Sequence, residues 1–128
     1  MEVGSSFTVL VVDDDPSIRR MIVVALRRAN GDSYRLVEAS NGQEALDQMR
    51  AEHPQVVVLD LMMPILSGWD VLRERAGDPE LMKIPVIIVS ANRDPELVAA
   101  MDKGVCAFLP KPFDITALNA LVRSCVAG

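Results

Sequence analysis

The sequence predicts an α/β domain: a doubly wound (βα)5 unit with a five-stranded parallel sheet in the order 2-1-3-4-5. Two observations carry that expectation. Five short β-branched, apolar segments recur along the chain, FTVLVV (7–12), YRLVEA (34–39), VVVLDL (56–61), PVIIVS (85–90) and CAFLP (106–110), with stretches of helical length between them. The first, third and fourth of these are continuously apolar rather than alternating, as strands buried on both faces must be. Regular alternation of β and α implies helices on both faces of a parallel sheet, and right-handed crossovers leave 2-1-3-4-5 as the common order at this length.

The helices follow in order. After Asp15 the chain opens with Pro16 and Ser17 and sets Ile18, Ile22, Ala25, Leu26 and Ala29 at helical spacing, stopping near Asn30 and Gly31. The opposite face would then carry Val23 and Val24 framed by Arg20 and Arg27, a candidate docking surface for a partner's helices. Residues 42–51 carry Ala45, Leu46 and Met49, and residues 67–76 carry Trp69 and Leu72. A fourth helix is expected over 95–103, closed by Gly104, and Ile115, Leu118, Leu121, Val122 and Cys125 form the stripe of the last.

The 128 residues suit one domain with a core of its own, spanning about 8–126, and no second core or linker follows. A net charge of -5 disfavours direct nucleic-acid binding, which needs a basic surface, and disfavours anionic membranes for the same reason. Cys106 and Cys125 lack the spacing of a zinc or CxxC site and read as two small buried apolar side chains. The N-terminus has no basic region ahead of an apolar stretch, and no run reaches bilayer length, so a reducing cytoplasm is the expected location. His53, in AEHPQ, reads as a surface histidine.

The chemistry is expected at the carboxyl ends of the strands, where open α/β sheets bind ligands. There the first strand offers Asp13, Asp14 and Asp15, the third Asp60, the fourth Ser90, and the fifth Lys111 between Pro110 and Pro112. Taken singly, each has an ordinary reading: Asp15 as a helix cap, Ser90 as a strand-end hydroxyl, Lys111 as a solvated lysine. Asp60 is harder to place, because it stands inside an apolar run and an ionised carboxylate there needs compensation. Crowded carboxylates are relieved by a hard cation, and Mg2+ accepts a few of them while leaving room for phosphoryl oxygens. A carboxylate so placed can be a nucleophile toward phosphorus, with Lys111 and the Ser90 hydroxyl at the phosphoryl oxygens.

The motifs VVDDDP, VLDLMMP with SG shortly after, IIVSA and FLPKPF resemble the receiver domain of two-component response regulators, from about Thr8 to Val126. The resemblance implies the flavodoxin-like form of the doubly wound fold and Asp60 as phosphoacceptor. It implies Mg2+ bound by Asp14, Asp60 and the Met62 carbonyl, with Asp13 acting through water, and Lys111 on the phosphoryl group before a cis Lys111-Pro112 bond. Ser90 and Phe108 would form the switch pair, remodelling the face made by the fourth helix, fifth strand and last helix. Phe108 stands where a tyrosine is usual, so no ring hydroxyl is available for a hydrogen bond. Met62 and Asn92 would tune the lifetime of the phosphoryl group. The implied phosphodonor is a partner histidine kinase or histidine phosphotransfer protein, and the implied output is a downstream protein partner or attached output domain. The domain would be a switch rather than an enzyme, assisting only its own phosphorylation and dephosphorylation.

Three other readings share parts of this pattern. An aspartate-nucleophile phosphatase wants a second Asp two residues after the first, where Met62 stands, and a flavin-binding module wants a phosphate loop where this chain has acids. An unphosphorylated interaction domain would have no use for the full acidic set with Ser90 and Lys111. Because no output domain is recognisable within the 128 residues, a stand-alone regulator and a receiver cut from a longer protein both remain open.

Overall fold

The computed structural model describes residues 7–63, 65–91 and 105–127. Their elements are β1 (Phe7–Val12), α1 (Pro16–Asn30), a 3-10 turn (Gly31–Ser33), β2 (Tyr34–Ala39), α2 (Gly42–Glu52), β3 (Val56–Asp60) and α3 (Gly68–Ala76). A short α4 (Pro79–Met82), β4 (Val86–Ser90), β5 (Val105–Pro110) and α5 (Ile115–Ala127) complete them. All neighbouring strands pair in parallel and the order is 2-1-3-4-5, as the alternation requires. The fourth helix expected over 95–103, with Asn92 ahead of it, lies outside the described residues.

Every residue of β3 and of β4 is buried, because both faces of the sheet are covered. On one face Leu10, Val12, Val57, Leu59, Val86 and Ile88 pack with Ala45, Leu46 and Met49 of α2 and Val71 of α3. On the other, Val9, Val11, Val56, Val58, Ile87 and Val89 pack with Ile22, Val23 and Leu26 of α1 and Leu118, Val122 and Cys125 of α5. Alternate residues along β1, β3 and β4 thus enter opposite cores.

The α1 stripe corrects the sequence expectation. Val23 is 1% exposed and belongs to the core, whereas Ala29 faces out. The expected stripe and the observed one differ by a small rotation about the helix axis. The larger Ile22, Val23 and Leu26 gain more from burial than Ala25 and Ala29 would, so the helix turns them inward. What remains outside is a groove lined by Met21, Val24, Ala25, Ala29 and Ile115 and flanked by Arg20 and Arg28.

The cysteines correct it a second time. They are not separate apolar side chains: Cys106 on β5 and Cys125 on α5 form a disulfide across a sequence separation of 19, their Cα atoms 6.4 Å apart. Spacing along the chain could not reveal this pairing, since the two residues meet only when α5 folds back against β5. In a chain-entropy treatment, closing such a loop stabilises the oxidised protein by about 3 kcal/mol relative to the reduced chain.

Local chemistry sets the element ends. Asp15 caps α1, its carboxylate accepting from the backbone N–H of Ser17 and Ile18, and Asn41 caps α2 through Glu44 N–H. Ser67 and Asp70 form a capping box that starts α3. The unforeseen α4 begins at Asp78-Pro79, where the Asp78 carboxylate accepts from Glu80 and Leu81 N–H. His53 is exposed and ends α2 in the left-handed region, with φ 47°.

Ile65, in the loop after β3, also has positive φ, 68°, and is 84% exposed. A β-branched residue held there costs about 1–2 kcal/mol with no burial to offset it. Asn tolerates this backbone region far better. Ile65→Asn is therefore expected to raise stability by about 1 kcal/mol in urea unfolding; a loss would show that the isoleucine side chain makes a stabilising contact.

Candidate functional site at the strand ends

Three strand ends and one loop converge. Asp60 is the last residue of β3 and only 4% exposed, so the apolar run does continue to bury the charge. Asp13 follows β1, is 2% exposed, and has its N–H bonded to the Ala39 carbonyl at the end of β2 at 3.2 Å. Asp14 beside it is exposed. Carboxylate oxygens of Asp13, Asp14 and Asp60 all lie within 4.8 Å of one another. Asp15 does not join them: its carboxylate is committed to the α1 cap, and its N–H donates to Asp13 Oδ1 at 2.9 Å.

Lys111 closes the group from the far side of the sheet. Its N–H donates to the Ser90 carbonyl at 2.9 Å, which registers the loop after β5 against the end of β4. Its Nζ then sits 3.2 Å from Asp13 Oδ2 and 3.5 Å from Asp60 Oδ2. The Lys111-Pro112 bond is cis, as expected from the resemblance. Ser90 ends β4 fully buried, next to Val89, the register partner of Asp60. Phe108 pairs with Ile88 and is half-buried against the α2–α3 core. Met62 is exposed and its N–H donates to Asp60 Oδ1 at 3.2 Å.

The electrostatics are those of a site with unspent charge. Burial pushes the Asp60 carboxyl above the usual range, and nearby Asp13 adds to this, while the Met62 N–H and Lys111 oppose it. Burial alone would lower Lys111; the adjacent Asp60 and Asp13 outweigh it and hold the ammonium above its ordinary value. A folded carboxyl raised above its unfolded value binds more protons in the native state. It therefore destabilises the fold as pH rises through the unfolded value toward the folded one, and the penalty is complete once pH exceeds the folded value. Asp60→Asn removes it. This variant is expected to be about 1 kcal/mol more stable than the wild type at pH 7 without divalent cation, the scale seen when a functional site is relieved. The advantage should shrink in acid; thermal unfolding at both pH values checks it.

The donor set fits a hard divalent cation. It is all oxygen, two of the three carboxylates are buried, and no Cys or His is among the donors. Mg2+ accepts one or two carboxylates and keeps open positions for phosphoryl oxygens.

Sequence reasoning had missed what holds this geometry. Gly68 N–H bonds the Leu61 carbonyl at 3.0 Å, folding the loop after Asp60 back on itself, and Gly42 N–H at the start of α2 bonds the Leu66 carbonyl at 2.8 Å, tying that loop to α2. The SG pair after VLDLMMP was the available signal. Arg19 also escaped notice: Nη1 donates to the Asp13 carbonyl at 2.7 Å while Nε pairs with Glu38 at 2.9 Å.

A five-stranded 2-1-3-4-5 sheet with carboxylates and a lysine gathered at its carboxyl edge defines the receiver class of signalling switch. Comparison with known proteins makes that specific: residues 9–123 match the family model described as the response regulator receiver domain, and the chain belongs to that family. Response regulator MprA of Mycobacterium tuberculosis (strain H37Rv) is 40% identical over 123 residues, covering 93% of this chain and 50% of that protein. The probable transcriptional regulator ycf27 of Porphyridium aerugineum is 36% identical over 117 residues, covering 91% and 46%. The chain thus spans about half the length of the curated relatives it matches. Among solved structures, the Francisella response regulator 1452 receiver domain is 30% identical with TM-score 0.84, covering 95% of this chain and 98% of that one. Chemotaxis response regulator CheY4 of Vibrio cholerae is 26% identical with TM-score 0.81, covering 94% and 98%. No helix among the described residues is long and apolar enough to cross a membrane.

Proposed function

We propose that this receiver domain accepts a phosphoryl group on Asp60 from a phosphohistidine of a partner histidine kinase or histidine phosphotransfer protein. The observation that carries the reading is the burial of Asp60 and Asp13 against one ammonium, Lys111, at the edge where receiver domains work. A carboxylate oxygen of Asp60 attacks phosphorus, the N–P bond to histidine breaks, and the imidazole leaves to take a proton from solvent. Asp60 becomes an acyl phosphate. Lys111 Nζ and the Ser90 hydroxyl face the phosphoryl oxygens and stabilise the charge they carry.

Asp13, Asp14, Asp60 and the Met62 backbone carbonyl would hold Mg2+. When bound, it supplies charge neutralisation for the carboxylates and the transferring group. Met62 and Asn92 would border the path of the hydrolytic water. The groove beside Val24 and Ile115, with Arg20 and Arg28, would receive the phosphodonor's helices in place of the Val23 and Val24 surface.

The response runs through Ser90 and Phe108. Once Ser90 turns to the new oxygens, the Phe108 ring moves further inward and changes the face formed by β5 and α5. That face would act on a protein partner or an attached output domain, not directly on nucleic acid or membrane, which the net charge of -5 disfavours. The domain would be a switch rather than an enzyme, located in the cytoplasm where the kinase's ATP is.

Intact mass after incubation with acetyl phosphate and Mg2+ tests the reading. Gain of one phosphoryl group by the wild type and none by Asp60→Asn is expected. Equal gain by both would remove Asp60 from the role, and no gain from acetyl phosphate or from any phosphohistidine donor would favour an unphosphorylated interaction domain.

A further inference from the structure

β5 does not pair evenly with β4. Val86 lies opposite Val105, but Ile87 lies opposite Ala107, so the pairing skips Cys106 and the strand bulges there. The bulge has a consequence for side-chain direction. Val105 and Phe108 enter the α2–α3 core, while Ala107 and Leu109 enter the α1–α5 core. Simple alternation would have sent Val105 and Phe108, three residues apart, to opposite faces. Phe108 reaches its core only because of the extra residue, and that residue is the one bonded to Cys125 of α5.

We infer that Cys106 and Cys125 are a reversible redox site, whose disulfide ties the β5 bulge to α5 and whose reduction frees both elements to move. The inference rests on the reading above that β5 and α5 form the output face. Two features of the pair suit exchange. Cys106 is exposed at the bulge, within reach of a reductant, whereas Cys125 is 6% exposed among apolar neighbours. Reduction leaves no stranded charge behind, since a buried thiol packs as a small apolar group; both states can therefore be folded. A domain charged at the expense of ATP works where thiols are kept reduced, and disulfides in such compartments are usually transient and either catalytic or redox-sensing.

The reductant is a protein or small-molecule dithiol. One of its thiolates attacks Cys106 Sγ, the Sγ–Sγ bond breaks, and Cys125 leaves as a thiolate that takes a proton. The reductant's second thiol then displaces Cys106, giving two protein thiols and one reductant disulfide, two electrons and two protons transferred in all.

Three readings on the full chain test this. After treatment with diamide, alkylation should find no free thiol, and after dithiothreitol it should find two. Amide hydrogen exchange in 105–110 and 115–127 should quicken about tenfold on reduction, while 7–12 and 56–60 stay unchanged. Cys106→Ser should exchange at the reduced rate under both conditions. Two free thiols after diamide, unchanged exchange on reduction, or a redox response surviving in Cys106→Ser would each overturn the proposal. Adding acetyl phosphate separates the two readings: a larger exchange response to phosphorylation is expected in the reduced form. If neither redox form gains a phosphoryl group from acetyl phosphate or from a phosphohistidine donor, the proposed phosphoacceptor role fails, and the redox site still stands or falls on the exchange measured without it.

Discussion

Gly68→Ala is expected to lose about 3 kcal/mol or more of stability, and to load phosphoryl groups poorly even where it is folded. A Cβ at residue 68 would stand 2.4 Å from the Asp60 carbonyl oxygen and 2.6 Å from Leu61 Cα. Both are backbone atoms, so no rotamer change can relieve the overlap. Either α3 retreats from the sheet or the end of β3 shifts, and in both cases Asp60 changes its place relative to Asp13 and Lys111. Gly42→Ala is the control, since its Cβ would meet the Leu66 carbonyl oxygen at 2.2 Å, away from the carboxylates. Urea midpoints should fall for both variants, whereas the rate of acetyl phosphate labelling, measured under folding conditions, should fall further for Gly68→Ala. A near-wild-type midpoint for Gly68→Ala would show that the loop after β3 is softer than its packing implies.

Arg75→Ala should cost a similar amount by a different route, about 3–4 kcal/mol. Arg75 lies in α3, 2% exposed, and burial holds its guanidinium below the ordinary value for arginine. Its Nε and Nη2 donate to the Ile84 carbonyl at 3.1 and 2.8 Å, and Nη2 also reaches the Met82 carbonyl at 3.3 Å. These carbonyls lie at the last residue of α4 and in the turn that leads into β4. Truncation would leave a cavity and take the guanidinium donors from both carbonyls. Arg75→Met restores volume without the donors and is expected to recover about half of the loss. Faster amide exchange should begin in 79–86, ahead of global unfolding; uniform exchange across the sheet would contradict a local bracing role.

These two residues mark where the sequence was readable and where it was not. The strand ends were legible because a β-strand's inside and outside are set by near neighbours in the chain. Once the parallel order is known, Asp13, Asp60, Ser90 and Lys111 must share one edge. Asp15 was legible as a cap for the same local reason. Arg75 was not, because an arginine in a charged helix ordinarily faces water, and its acceptors, at Met82 and Ile84, lie seven and nine residues further along the chain. The face of α1 was ambiguous because a small rotation turns either the alanines or Val23 inward, and only packing decides. The cysteine pair depended on a bulge in β5 and on how α5 lies across it, neither of which leaves a local mark.

The phosphoacceptor itself is tested most directly by locating the modification. Wild-type protein loaded with acetyl phosphate and Mg2+ would be treated with borohydride, which reduces an acyl phosphate to the alcohol, and its peptides sequenced by mass spectrometry. Conversion of Asp60 alone to the corresponding alcohol is the expected result. Conversion at Asp13 or Asp14 instead, or none at any aspartate despite a phosphoryl gain in intact mass, would contradict the assignment of Asp60.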